Sequence, residues 1–191
     1  MYDLKLMEDA YDKFFHHVYK MWNEHDISIM DLGCGTGRDA VRFKEMGMEV
    51  HLVDFDVNKL VSAYHTVLSL TGEEPDGIYS LDMVMDMGFV EKFNAVWANA
   101  CIHHIVNLEW GLLFDNIWSS LKDGGIFYFS LKEGTGESYD EYGRYFNYNN
   151  DSDIMEYFTE RGDFGLLEKW REYEYRKNDR VTNWLNYILI K

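Results

Sequence analysis

The sequence predicts an α/β fold, a three-layer α/β/α sandwich in which seven mostly parallel strands lie between two layers of helices. Short apolar runs alternate with segments whose apolar residues have helical spacing, and this alternation requires crossovers between parallel strands. Apolar residues make up 47% of the 191 residues, enough to cover a sheet on both faces. The chain has one proline, no repeat and no low-complexity linker, so we expect a single domain over residues 1–191.

The elements follow from spacing along the chain. Apolar residues three or four apart predict a first helix at 6–24, within an N-terminal cap region of residues 1–25. Buried apolar runs predict strands at 27–32, 48–53, 77–81, 94–98 and 126–131. Helical spacing predicts helices at 38–46, 58–70 and 108–121, the second of them capped by Asp56. A loop at 132–150, a helix at 153–161 and strands at 166–176 and 184–190 complete the chain, the last strand being antiparallel.

The charge balance limits the partners that the chain can bind. With 18 Lys and Arg against 34 Asp and Glu, the net charge is −16, which disfavours nucleic acids and anionic membranes. No run approaches the roughly 20 apolar residues of a membrane span, and residues 1–12 lack the features of a signal peptide, so we expect a cytoplasmic protein. Cys34 and Cys101 are expected to be reduced thiols. We expect a monomer or a homodimer.

The clearest local motif is a glycine loop that follows the first predicted strand. Gly33, Gly35 and Gly37 give the pattern GxGxG, and Arg38 occupies the position of the third glycine in the dinucleotide fingerprint GxGxxG. Asp31 precedes the loop by two residues. A carboxylate about 5 Å from a pyrophosphate costs on the order of 3 kcal/mol per charge pair at an effective dielectric constant of about 20. The loop therefore suits a ligand that carries a cationic amine.

This loop resembles the first motif of the class I S-adenosylmethionine-dependent methyltransferases, an acidic residue, any residue and then GxGxG. Residues 31–40, DLGCGTGRDA, match that motif without a gap. The chain is similar to the small, single-domain, bacterial-type members of the family, which implies a Rossmann-like fold and S-adenosyl-L-methionine as cofactor, with S-adenosyl-L-homocysteine as product. The resemblance implies that Asp31 helps to hold the methionine amino group. It also implies that Gly33, Gly35 and Gly37 line the methionine and ribose, with Arg38 counted among the cofactor-binding residues.

The ends of the second and third strands carry residues suited to adenosine. Asp54 lies 21 residues after Gly33, where a carboxylate can accept hydrogen bonds from ribose hydroxyls. Phe55 is similar to the apolar residue that the family packs near ribose and adenine. Asp82 and Met83 look like the family's adenine-reading pair. Asp82 alone is also compatible with a surface turn, but its place at a strand end, in register with Asp31 and Asp54, favours a ligand.

The fourth strand leads into candidates for the methyl acceptor's side of the site. Residues 93–104, FNAVWANACIHH, resemble the family's segment that faces the methyl group, which places Asn99 among the cofactor-binding residues. His104 is the candidate catalytic residue because an imidazole takes a proton near neutral pH. His103 is the second candidate, at the substrate side, and both are also compatible with histidines packed at a helix start. No metal site is expected, since no second ligand cluster follows Cys101, His103 and His104.

Two further residues are predicted at the substrate side. Arg144, within the 132–150 loop, is expected to pair with an acidic group of the acceptor, and the loop's tyrosines to line a flat site, although a solvated loop fits the same composition. Tyr11 resembles an aromatic residue that some family members fold over the cofactor.

These observations predict a methyltransferase that acts on a small-molecule acceptor through nitrogen, oxygen or sulfur. The main alternative is a tRNA- or RNA-modifying methyltransferase, whose basic face could only be the cluster at 169–180, where five basic residues are diluted by four acids. A nicotinamide-dependent oxidoreductase and a non-catalytic partner subunit are the remaining alternatives. The tetrapeptide (D/N)PP(Y/F) of many nucleic-acid amino-methylating enzymes is absent after the fourth strand.

Overall fold

Five α-helices and nine β-strands form within residues 4–22, 26–82, 85, 87–176 and 180–191, which the computed structural model describes. The helices are α1 (Leu4–Met21), α2 (Arg38–Glu45), α3 (Val57–Thr71), α4 (Trp110–Ser120) and α5 (Asp151–Arg161). The strands are β1 (Ser28–Leu32), β2 (Glu49–Asp54), β3 (Gly77–Ser80), β4 (Phe93–Ala98), β5 (Leu121–Lys132), β6 (Gly136–Tyr139), β7 (Tyr145–Tyr148), β8 (Gly165–Arg176) and β9 (Arg180–Ile190).

Seven strands form the main sheet in the order β3-β2-β1-β4-β5-β9-β8. The first five run parallel, and β9 is antiparallel to both β5 and β8. The predicted Rossmann-like fold, a seven-stranded mostly parallel sheet with an antiparallel last strand, is therefore confirmed. The strand order reverses between β1 and β4, and ligands of such sheets bind beyond the carboxyl ends of the strands at that point.

Helices cover the sheet on both faces because the strand side chains alternate between them. Ile29 of β1 packs with Phe14 and Phe43, which come from α1 and α2. Its neighbour Met30 packs in a second cluster with Phe114 of α4. The two clusters form the core on the two faces of the sheet.

The start of α3 confirms the predicted cap. The Asp56 carboxylate accepts a hydrogen bond from the Asn58 backbone N–H at 2.9 Å, and Gly72 ends the helix at φ 78°. These caps satisfy orphan backbone groups at both ends of α3. The helix therefore begins directly after β2, at the cavity described below.

The predicted loop at 132–150 contains the antiparallel pair β6 and β7, so the structure corrects that assignment. The Asp140 carboxylate accepts hydrogen bonds from the backbone N–H groups of Tyr142 and Arg144, at 3.0 and 2.9 Å, and folds the connection between the two strands. Each strand has four residues, too few for a clear alternating pattern in the sequence. The residues at 132–150 thus form a defined hairpin at the cavity.

Candidate functional site

A cavity of about 510 Å³ opens at the carboxyl edge of the sheet, where the strand order reverses. Its volume is typical of small-molecule sites, which run from about 300 to 1,000 Å³. Seven of the residues predicted from the sequence line it: Gly33, Gly35, Asp54, Phe55, Asp82, His104 and Arg144. Met83, also predicted, lies outside the described residues.

Hydrogen bonds hold the glycine loop to the end of β2. The backbone N–H groups of Gly33 and Cys34 both donate to the Val53 carbonyl, at 2.8 and 3.1 Å. The Gly35 N–H donates to the Asp54 carboxylate at 3.0 Å. The turn is thereby held in one conformation, with its backbone facing the cavity.

Two of the glycines are needed for different reasons. Gly35 has φ 56°, and a Cβ added there meets no atom within 4 Å, so this position borders open space on the cavity. Gly37 has φ 82°, and its Cβ would lie 2.9 Å from the Ala63 Cα of α3. Gly37 therefore permits helix packing, while Gly35 leaves room for a ligand.

The Asp54 carboxylate is buried and already holds the loop. Besides Gly35, it accepts a hydrogen bond from the Asp56 backbone N–H at 3.0 Å. Phe55, 70% exposed, stands beside it at the edge of the cavity. Each carboxylate oxygen has lone pairs left to accept hydrogen bonds from hydroxyl groups.

Asp31 is 2% exposed and is not one of the cavity-lining residues. Its Oδ2 has no hydrogen-bond partner among the described residues. Burial, followed by the negative charge of Asp39, raises the pKa of Asp31 well above its ordinary value. Because buried polar atoms usually have a hydrogen-bond partner, this oxygen is a candidate acceptor for a donor that a ligand brings.

Asp39 is the functional-site candidate that sequence reasoning missed. Its carboxylate accepts hydrogen bonds from Tyr11 Oη and Trp97 Nε1 at 2.8 Å, from Asn99 Nδ2 at 3.0 Å and from Arg38 Nε at 2.5 Å. Burial alone would raise the pKa of Asp39, but the hydrogen bonds and charge of Arg38, with the other donors, lower it. Asp39 is thus an ionised carboxylate beside Asp31.

Three predicted site residues, Tyr11, Arg38 and Asn99, therefore surround Asp39, and none of them lines the cavity. Gly37 and Asp31 also lie outside the lining. Acidic residues are common in the first turn of a helix because the helix dipole stabilises a negative charge there. In the sequence, only its position after the glycine loop distinguished Asp39 from such a residue.

His104 lies in a short 3-10 turn after β4 and lines the cavity. Its Nδ1 is 2.6 Å from the Tyr145 carbonyl oxygen on β7. A carbonyl oxygen can only accept, so Nδ1 carries the hydrogen and Nε2 of the neutral ring keeps a free lone pair. Burial lowers the pKa of His104, and the charges of Arg144, Lys132 and Lys59 lower it further against the Tyr145 hydrogen bond. The ring is therefore neutral near pH 7.

His103 and Arg144 occupy different surroundings. His103 is 2% exposed, stacks on Phe146 with ring centroids 5.3 Å apart and does not line the cavity. Burial lowers its pKa well below the ordinary value. Arg144 lines the cavity and is exposed, with its Nε and Nη2 at 2.7 and 2.6 Å from the Asp140 carboxylate.

Four further residues line the cavity without having been predicted: Lys59, Ala100, Cys101 and Ile105. Tyr145, one of the loop tyrosines expected to line a flat site, lines the cavity as well. Ala100 adopts the left-handed φ of 56°, and its N–H donates to Ser130 Oγ at 2.9 Å. The Cys101 thiol donates to the Leu32 carbonyl at 3.2 Å, and burial raises its pKa. A left-handed alanine carries no sequence signature, whereas Lys59 was detectable as a cation in the first turn of a helix.

Two features are absent from the described part of the chain. No helix in it combines the length and the apolar character required to cross a bilayer. Within the same residues, no group of three or more His, Cys, Asp or Glu side chains is placed to hold a metal ion.

Comparisons with known proteins agree with this architecture. Residues 4–169 match the family model described as a methyltransferase domain. An S-adenosylmethionine-dependent methyltransferase from Methanosarcina mazei is similar in structure, with a TM-score of 0.73 and 13% identity over 91% of this chain and 96% of that one. A second similar structure is the 1,6-didemethyltoxoflavin-N1-methyltransferase of Burkholderia thailandensis, solved with 1,6-didemethyltoxoflavin and S-adenosylhomocysteine. Its TM-score is 0.71 and its sequence identity 18%, over 96% of this chain and 81% of that one.

A curated relative is the malonyl-[acyl-carrier protein] O-methyltransferase of Buchnera aphidicola subsp. Baizongia pistaciae (strain Bp). It is 30% identical over 109 residues, which are 55% of this chain and 39% of the relative. The chain thus matches about two fifths of that protein's length.

The strand order, the glycine loop and the cavity at the carboxyl edge define a class I S-adenosylmethionine-dependent methyltransferase. The chain belongs to the methyltransferase-domain family, which matches residues 4–169.

The residues present fit S-adenosylmethionine. This cofactor carries an ammonium group, and the buried Asp31 Oδ2 lacks a donor. It carries ribose hydroxyls, and Asp54 lines the cavity with lone pairs to spare. The open space at Gly35 admits a ligand against the backbone. Asp31, Gly35, Asp54, Phe55 and Asp82 are the residues that would hold it.

Proposed function

We propose that this methyltransferase acts on a small-molecule acceptor through a nitrogen, oxygen or sulfur atom, and that His104 takes the acceptor's proton where it has one. The names of the relatives describe O- and N-methylation, which supports this range of acceptor atoms. A cavity of about 510 Å³ lies within the range of small-molecule sites, which supports a small acceptor.

His104 carries the proposal. Its Nδ1 hydrogen is committed to the Tyr145 carbonyl, which fixes the ring and leaves Nε2 as the proton acceptor at the cavity. The lowered pKa keeps the ring neutral, and therefore able to act as a base, near pH 7.

S-adenosylmethionine, when bound, supplies a methyl group activated by a sulfonium. The chain's own residues then contribute mainly by position. The hairpin of β6 and β7 holds Tyr145 against His104, and the Asp54 carboxylate holds the glycine loop at the same cavity. Positioning of this kind supplies several kcal/mol of the barrier reduction.

The basic cluster at 169–180 offers little support for an RNA substrate. Lys169 pairs with Asp151 at 2.7 Å and Arg171 with Glu133 at 2.9 Å, so both charges are already balanced. Lys177 and Asp179 lie outside the described residues. Because counterion release needs unpaired cations, we favour the small molecule.

The test is methylation of a panel of small O–H, N–H and S–H acceptors, with total tRNA as a separate arm, measured as S-adenosylhomocysteine formed. His104→Asn keeps a donor for the Tyr145 carbonyl and removes Nε2. We expect kcat to fall by about 10²- to 10⁴-fold, with the affinity for S-adenosylhomocysteine unchanged.

The exposed His16→Asn is the matched control and should retain full activity. The acidic limb of the wild-type kcat/KM profile, set by the lowered pKa of His104, should disappear in His104→Asn. Unchanged kcat in His104→Asn, or turnover of tRNA alone, contradicts the proposal.

A further inference from the structure

Cations surround His104 in a chain that has almost twice as many acids as bases. The net charge is −16, yet Lys59 and Arg144 both line the cavity with His104. After burial, the charges of Arg144, Lys132 and Lys59 all lower the pKa of His104, which means that all three lie near the ring. Three cations therefore lie near the His104 ring.

Lys59 is an unbalanced charge. It lies in the first turn of α3, where the helix dipole disfavours a cation. Its ammonium has no hydrogen bond or ion pair with any described residue, and its contact is with the Phe55 ring, 5.7 Å to the centroid. Asp54 and Asp82 line the same cavity, and Asp54 accepts hydrogen bonds from the backbone N–H groups of Gly35 and Asp56. A charge that opposes its own helix and has no partner is typical of a binding residue.

Arg144 is presented in a fixed orientation. Asp140 holds its Nε and Nη2 and also accepts the Arg144 backbone N–H, while the guanidinium carbon lies 5.6 Å from the Phe146 ring centroid. The other terminal nitrogen, Nη1, has no partner among the residues that the structure describes. A guanidinium held in this way donates directionally to a carboxylate or phosphate oxygen.

We propose that the acceptor carries an anionic oxygen group, a carboxylate or a phosphate, and that Lys59 and Arg144 recognise that group beside His104. This inference rests on the proposed function, since it concerns the acceptor of the same site. It makes Lys59 and Arg144 specificity-determining residues, and it leaves the reacting O–H, N–H or S–H of the acceptor to His104.

The test uses matched pairs of probes on protein saturated with S-adenosylhomocysteine: benzoate against benzamide, and phenyl phosphate against phenol. Binding is followed by the side-chain NMR signals of His104 up to millimolar concentrations. We expect an anionic probe that binds to have a Kd at least about tenfold lower than that of its neutral partner. The tighter of the two anions identifies a carboxylate or a phosphate as the preferred group.

Two variants test the residues. Lys59→Gln and Arg144→Gln should each reduce the preference for the anion by about tenfold, with the affinity for S-adenosylhomocysteine unchanged within about twofold. Lys20→Gln removes an exposed lysine from the last turn of α1 and should change neither quantity.

Three results overturn the inference: neutral probes that bind as well as the anions, no response of His104 to any probe, or a Lys59→Gln variant that loses affinity for S-adenosylhomocysteine while it keeps the anion preference. The last result would assign Lys59 to the cofactor's own carboxylate. Calorimetric titration with S-adenosylhomocysteine is done first. Failure to bind S-adenosylhomocysteine contradicts the proposed function, whereas cofactor binding without anion preference contradicts this inference alone.

Discussion

Gly35 and Gly37 lie in one loop but are needed for different reasons, Gly35 for ligand space and Gly37 for packing against α3. Both have positive φ, so an alanine at either position carries a similar backbone strain. They differ in surroundings, since Gly35 faces open space and Gly37 faces the backbone of α3 at Ala63. Gly35→Ala and Gly37→Ala are therefore a matched pair.

The magnitudes follow from those surroundings. Left-handed φ costs an alanine about 1 to 2 kcal/mol, and the stiffer unfolded chain returns about 0.4 to 1 kcal/mol. Gly37→Ala also places a Cβ 2.9 Å from Ala63 Cα and 3.0 Å from the Ala63 carbonyl oxygen, which adds about 1 to 3 kcal/mol of overpacking. Gly37→Ala should therefore be the less stable variant by about 2 kcal/mol, or roughly 4 to 8 °C in Tm.

Cofactor affinity should show the opposite order. The Cβ of Gly35→Ala enters the cavity, so we expect the Kd for S-adenosylhomocysteine to rise by about tenfold or more. The folded fraction of Gly37→Ala should bind nearly as the wild type. Scanning calorimetry gives Tm and titration calorimetry gives Kd. Equal losses of Tm, or a Gly35→Ala variant with wild-type affinity, would contradict the separate roles of Gly35 and Gly37.

Three further variants probe the carboxylates. The pKa of Asp31 is raised in the folded protein, so Asp31 contributes its full stability below its ordinary pKa of 3.8 and loses that contribution as the pH rises through the raised pKa. Asp31→Asn should therefore stabilise the ligand-free protein at neutral pH and weaken the binding of S-adenosylhomocysteine. Urea unfolding across pH measures the first effect, and titration calorimetry measures the second. Asp39→Ala leaves the Trp97 indole and the other donors without their acceptor. The free energy of unfolding in urea should fall by about 3 to 5 kcal/mol. A loss below about 1 kcal/mol would contradict the role of Asp39 as the shared acceptor of these donors. Asp140→Ala removes the acceptor of the hairpin turn and should speed amide exchange at 136–148 but not in β1; equal exchange in the wild type and the variant would contradict that role.

Much of the fold was predictable because parallel strands buried on both faces are continuous apolar runs. The runs at 27–32 and 94–98 coincide with β1 and β4 to within one residue. The start of β5 was misplaced by five residues, since Gly124 and Gly125 read as a turn. In the structure Leu121 instead pairs with Phe93 ahead of a register shift.

The site was predictable where one residue type is required locally. The glycine loop and Asp54 depend on neighbours close in sequence or at the next strand end, and both line the cavity. Asp39 could not be found in this way because its donors Tyr11, Trp97 and Asn99 come from distant parts of the chain. Only the three-dimensional structure brings them to one carboxylate.

The most direct test of the account is a crystal structure of the protein with S-adenosylhomocysteine. We predict density in the cavity between Gly35, Asp54 and Asp82, with the ammonium group at Asp31 and the sulfur directed toward His104. Density in the separate groove between α3 and β3, at Val61 and Ile78, with the cavity at His104 left empty, would contradict it.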